Sequence, residues 1–187
     1  MKTKKAFFKE AVKNIKTSGT IVPSSRFLIK KLLKEIDFNN ISVIVEFGPG
    51  NGNVTKEILN RMHSNSKLIC FEINDEFFNH LKQINDDRLI LVNESAELIE
   101  NVINKLNIKE VDCIISSLPL SNIPKNVVDK ILQNSKKVLK NNGQFSQFQY
   151  SPYCYKKIKK IFKSENVKLQ FEAINFPPAF IYNCVKK

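Results

Sequence analysis

From Ser42 onward, short apolar runs take turns with stretches of helical period, and this alternation restricts the fold more than any single motif. "SVIVEF", "KLICFEI", "RLILVN", "VDCIISSL" and "GQFSQFQY" have the length and composition of strands. Each is followed by an amphipathic stretch: about Val54 to Met62, then "EFFNHLKQI", "AELIENVINKLN", "PKNVVDKILQNSKKVLK" and "YKKIKKIFKSE". "VKLQFEAINF" and "AFIYNCV" then follow one another with no helix between them. Strand–helix alternation gives a parallel sheet covered by helices on both faces, and two consecutive strands pair by reversing direction. The expected fold class is α/β, a Rossmann-like sheet of seven strands. It is mostly parallel, with one antiparallel edge pair in which the last strand runs against the rest.

Two helices are predicted upstream of the sheet. Lys5 to Lys16 place Phe7, Phe8, Ala11, Val12 and Ile15 on one face and Lys5, Lys9, Lys13 and Lys16 on another. "TSGTIVPSS" ends that helix, and Ser24 or Ser25 caps a second one over Phe27 to Ile36. With 187 residues and no internal repeat, the chain reads as one domain. Residues 1–36 are expected either to cover the site or to contact a membrane.

"VEFGPGNGNVTKEIL" holds three of the chain's 5 glycines, directly after the first strand. A loop there lies at the carboxyl edge of the sheet, where open α/β folds bind ligands. A phosphate loop needs G-K-[ST] at its end, which "GNGNVTKE" lacks, and Asn53 fills the place of a third dinucleotide glycine. What remains is an acid, Glu46, followed by Gly48, Gly50 and Gly52. That spacing suits a cofactor with no pyrophosphate and with positive charge. The sulfonium and ammonium of S-adenosyl-L-methionine (SAM) fit it. Glu72, ending the second strand, is placed to accept hydrogen bonds from both ribose hydroxyls.

These stretches, with "CFEINDEF" and "DCIISSLPL", resemble the successive motifs of class I SAM-dependent methyltransferases. The resemblance covers most of the chain and implies a seven-stranded sheet with the last pair reversed. It implies that the loop of Gly48, Gly50 and Gly52 wraps the methionine part and that Glu72 holds the ribose, with Asn53 and Ile73 beside them on the cofactor side. It places residues after the third strand beside the adenine, where many members carry an Asp. Here Ser95 stands at that position, with Glu94 as its alternative. Ser117 completes the expected cofactor-side set.

The loop after the fourth strand bears on the acceptor. In rRNA adenine dimethyltransferases it reads N-L-P-[YF] or N-P-P-[YF], and the Asn and the aromatic grip the base. This chain has "SSLPL", with Ser117 in place of the Asn and Leu120 in place of the aromatic. It also ends with the seventh strand, where those enzymes continue into a helical domain. "GTIVPSSRFLIKKLL", "SSLPLSNIP", "GQFSQFQYSPY" and "NFPPAFIY" resemble the bacterial phospholipid N-methyltransferases instead. That resemblance implies methylation of the amine of a phospholipid such as phosphatidylethanolamine, with Tyr150 or Tyr153 orienting the amine. An RNA base is the alternative acceptor, and a SAM-fold protein without turnover is a second.

Charge agrees with an anionic partner. Lys and Arg total 30 against 18 Asp and Glu, a formal net charge of +12. The lysine-bordered first helix and the stripe "KKIKK" suit an anionic membrane surface, with RNA the less favoured partner. No apolar run reaches the roughly 18 residues of a membrane span, and no signal peptide is read at the N-terminus. The four cysteines are far apart and are expected as reduced core thiols. No metal site is expected. The expected location is the cytoplasm, in peripheral contact with the membrane.

Overall fold

A computed structural model describes residues 25–187. The helix read over Lys5 to Lys16 lies outside the described residues. The rest forms a seven-stranded sheet: β1 (Val43–Phe47), β2 (Lys67–Phe71), β3 (Leu89–Val92), β4 (Val111–Ser116), β5 (Leu139–Gln149), β6 (Val167–Glu172) and β7 (Ala179–Val185). The spatial order is β3-β2-β1-β4-β5-β7-β6. Pairings are parallel except those of β7, which runs antiparallel to both β5 and β6. The reversed strand is thus a single one, and it is inserted inside the sheet; β6 is the edge.

The helices are α1 (Arg26–Leu32), α2 (Asn53–Arg61), α3 (Asp75–Leu81), α4 (Ile99–Lys105), α5 (Lys125–Val138) and α6 (Tyr155–Phe162). Strand alternation sends successive side chains to opposite faces. One face carries Val45, Phe47, Ile69, Phe71 and Ile114 under α4, α5 and α6. The other carries Ile44, Leu68, Cys70, Cys113 and Ile115 under α1 and α2. Both faces are therefore covered, which explains why the inner strands read as continuous apolar runs. All four cysteines are free and buried, as expected for core thiols.

Local chemistry sets the element ends. Ser25, not Ser24, caps α1, its side chain accepting from Leu28 N, and α1 stops at Leu32, short of the expected Ile36. Asn74 caps α3 by accepting from Glu76 N and Phe77 N. Arg88 closes the end of α2 by donating to Leu59 O and Met62 O. Three expectations are corrected. "AEL" is a 3-10 turn ahead of α4. β6 ends at Glu172, because residues beyond it turn back toward β7. The helical stretch "PKNVVDKILQNSKKVLK" stops at Val138: β5 begins at Leu139 and runs on through Asn141, Asn142 and Gly143.

That last difference has a visible cause. The β4–β5 register jumps from Val111↔Leu139 to Cys113↔Gln144, so β5 carries extra residues here. Asn142 takes a positive φ of 61°. A Cβ at Gly143 would stand 2.8 Å from Lys140 O and 3.1 Å from Asp112 O. Both obstacles are backbone. Gly143→Ala is therefore expected to cost about 2 kcal/mol of stability. Urea denaturation checks this, and an unchanged midpoint would refute the tight bulge.

Candidate active site

β1 sits where the crossovers change direction, with β2 on one side and β4 on the other. The loops after β1, β2 and β4 therefore open at the switch point of the sheet, at its carboxyl edge. They are stitched together by backbone bonds: Gly48 N donates to Phe71 O, Glu72 N to Val92 O, and Ser117 N to Phe47 O.

Gly48, Gly50 and Gly52 all have positive φ, at 67°, 56° and 79°. Side chains rarely adopt that backbone, which accounts for the glycine cluster. Space adds a second reason at two of them. A Cβ at Gly48 would come within 3.0 Å of Leu118 Cδ2, and one at Gly52 within 3.0 Å of Leu81 Cδ2. The glycine loop thus lies directly against the "SSLPL" loop. Asn53 starts α2 and is half-buried.

Glu46 is completely buried and points to the α1–α2 face with Cys70. Its Oε2 accepts from Thr55 Oγ1 at 2.7 Å and from Cys70 Sγ at 3.3 Å. Its Oε1 has no hydrogen-bond partner. Burial pushes this carboxyl up to about 7, partly offset by the Thr55 and Cys70 bonds and reinforced by the Glu72 charge. The same burial, with Glu46 beside it, pushes the Cys70 thiol up.

Glu72 is buried and fastens the loop to the next element. Its Oε2 accepts from Gly50 N at 3.1 Å and its Oε1 from Asn74 N at 2.8 Å. A carboxylate oxygen accepts more than one hydrogen bond, which is the chemistry that the hydroxyls of a ribose diol call for. The Ile73 side chain, by contrast, belongs to the core under α4 and α5. The chain turns it inward after β2. Ser95 is buried and its Oγ has no partner, whereas Glu94 is half-exposed.

The acceptor-side residues separate. Ser117 is half-buried at the loop's start, and Leu120 is buried in the core. Tyr150 is half-buried and edge-on to Phe148 at 5.7 Å. Burial raises its pKa, so it stays a neutral phenol. Tyr153 is 62% exposed on the 3-10 turn after β5.

Two site features were not legible as roles in the sequence. Thr55, a polar residue on the buried side of α2, holds Glu46. Gln147 and Gln149 both donate through Nε2 to Leu118 O, at 3.0 and 2.7 Å, and so fix the "SSLPL" loop. Their signal was amide side chains within a strand covered on both faces. Among the described residues no group of three or more His, Cys, Asp or Glu is placed to hold a metal. A groove of about 1060 Å³ between α5 and α6, lined by Lys136, Lys156, Lys157 and Lys160, contains none of these residues.

The model of the ribosomal RNA adenine dimethylase family matches residues 20–147. The chain belongs to that family. It is a class I SAM-dependent methyltransferase, and its cofactor is SAM. The methyltransferase is 29% identical over 168 residues to an ornithine lipid N-methyltransferase from Singulisphaera acidiphila, covering 89% of this chain and 87% of that one. It is 30% identical over 110 residues to ribosomal RNA small subunit methyltransferase A from Mycoplasma capricolum, covering 56% of this chain and 37% of that one. Its fold matches an O-methyltransferase from Bacillus cereus in complex with SAH, at a TM-score of 0.71 and 14% identity, covering 100% of this chain and 92% of that one.

The residues present fit the cofactor. Glu46 has an unpartnered buried oxygen that a cationic group would neutralise. The glycine loop leaves room for close approach, Glu72 offers acceptors, and Ser95 has an unpartnered hydroxyl. Glu46 and the glycine loop would hold the methionine part, Glu72 the ribose and Ser95 the adenine.

Proposed function

We propose that the acceptor is the amine of a membrane lipid and that the enzyme methylates its nitrogen at the membrane surface, from the cytoplasmic side. The observation that carries this reading is the "SSLPL" loop. A base acceptor needs a polar group for its exocyclic amine and a flat side chain to stack on its ring; stacking is worth about 1–3 kcal/mol. Leu120 is buried in the core and offers no ring, and Ser117 offers a short hydroxyl. A flexible head-group amine needs neither. The likeness to an ornithine lipid N-methyltransferase along most of both chains supports the same acceptor class.

Bound SAM supplies an electrophilic methyl. The chain contributes position and a dry surround. Glu72 fixes the glycine loop, Gln147 and Gln149 fix the loop facing it, and Thr55 orients Glu46. Tyr150, kept neutral by its burial, is a hydrogen-bonding partner for the amine rather than a base. The amine's proton leaves to water.

An RNA base is the second reading, favoured by the family match over residues 20–147. One assay separates the two: labelled SAM with phosphatidylethanolamine vesicles and RNA in the same tube. Label is expected in the lipid fraction. Label in RNA adenine with none in lipid would overturn the lipid reading.

A further inference from the structure

The loop from β6 to β7 carries the most exposed apolar side chains among the described residues. Phe176 is 84% exposed and Ile174 68%. β6 runs parallel to β5, because both oppose β7, so this loop lies at the carboxyl edge, on the side of the sheet where the site opens. Phe27, 56% exposed, is brought there because Ser25 N donates to Asn175 Oδ1. Tyr153 lies there too: Gln149 pairs with Phe180, so the residues after Gln149 run beside those before Phe180. Glycine loop, acceptor loop and apolar tip therefore share one edge.

Charge flanks the tip on both sides. Arg26 and Lys30 are exposed on α1, around Phe27. Lys156 is exposed in the first turn of α6, just after Tyr153. The acid at the loop's base, Glu172, is neutralised by Lys31 at 3.4 Å and accepts from Ile174 N. An apolar tip between cationic shoulders complements an anionic lipid surface, where apolar groups enter the acyl boundary and basic groups stay at the head groups. Ile174 has no π-face for a nucleic-acid base.

We propose that Ile174 and Phe176 insert into an anionic bilayer and that Arg26, Lys30 and Lys156 hold the head groups around them. Insertion at this edge sets the mouth of the site against the lipid surface. This rests on the lipid reading of the substrate and names the surface through which it is reached.

The chain has no tryptophan, so one introduced indole reports alone. Phe176→Trp in the full chain is expected to shift its emission to shorter wavelength when vesicles of phosphatidylethanolamine and phosphatidylglycerol are added. Lys109→Trp, exposed in the loop before β4 at the opposite edge, is expected not to shift. Replacing Ile174 and Phe176 together by serine is expected to weaken vesicle binding about tenfold or more, with SAM affinity unchanged by calorimetry. The proposal is overturned if the indole of Phe176→Trp stays in water on vesicles, if it responds to RNA instead, or if Lys109→Trp is the variant that shifts. Emission already shifted without lipid overturns it too, since a segment of the chain itself would then cover the tip. Insertion of the Phe176→Trp indole with label going only to RNA keeps this surface and removes the lipid-acceptor reading. Lipid methylation with that indole in water does the reverse.

Discussion

At pH 8 the cofactor-free Glu46→Gln protein is expected to be about 3 kcal/mol more stable than its parent. Burial raises this carboxyl from its ordinary 4.5 to about 7. A carboxyl whose native pKa lies above its unfolded one favours folding while it is protonated. That contribution is complete below about pH 4.5 and is lost as the pH rises through 7. Each pH unit across that window is worth about 1.4 kcal/mol, which gives the figure of about 3. Glutamine has the same shape, still accepts from Thr55, and carries no charge to bury. The stability difference should therefore shrink toward zero as the pH is lowered below 4.5. Urea unfolding of both proteins across this range measures it, and a difference that does not change with pH would refute the burial argument. The same substitution should weaken SAM binding, because the neutral amide cannot offset a cation beside the glycine loop. A stabilised apoprotein with a poorer site would show that the buried charge is kept for the ligand at the expense of the fold.

Glu72→Ala is expected to weaken SAM binding by roughly 30- to 1000-fold, equivalent to about 2–4 kcal/mol. The ribose would lose its acceptors. The structure adds a second loss: Gly50 N and Asn74 N would lose their shared carboxylate. The loop would then no longer be held in the left-handed turns of Gly48, Gly50 and Gly52. Glu72→Gln separates the two effects. Its one remaining oxygen can serve only one of the backbone donors, so an intermediate affinity is expected. Calorimetry with SAM decides, and unchanged affinity in Glu72→Ala would remove Glu72 from the site.

Much of this was legible in the sequence because it is local or periodic. Strand runs ahead of amphipathic helices dictate a parallel sheet, and "VEFGPGNGNV" marks the turn at its carboxyl edge. Glycines at Gly48, Gly50 and Gly52 announce backbone that other residues rarely adopt. The acids at strand ends follow from the same register.

Only the tertiary structure decided what depends on distant neighbours. The place of β7 between β5 and β6 depends on pairing energies along both its edges, which no local pattern encodes. The β5 start at Leu139 depends on a bulge against β4, so the helical pattern read on past Val138 to Lys140. Ile73 turned inward because a one-residue step reverses the face a side chain meets. Thr55 and Gln147 were ordinary polar residues until α2 and β5 placed them against Glu46 and Leu118 O. The exposed tip at Phe176 likewise reads as core from residue type alone. Hydrophobicity says that a side chain prefers to leave water; only the folded chain decides whether it finds cover.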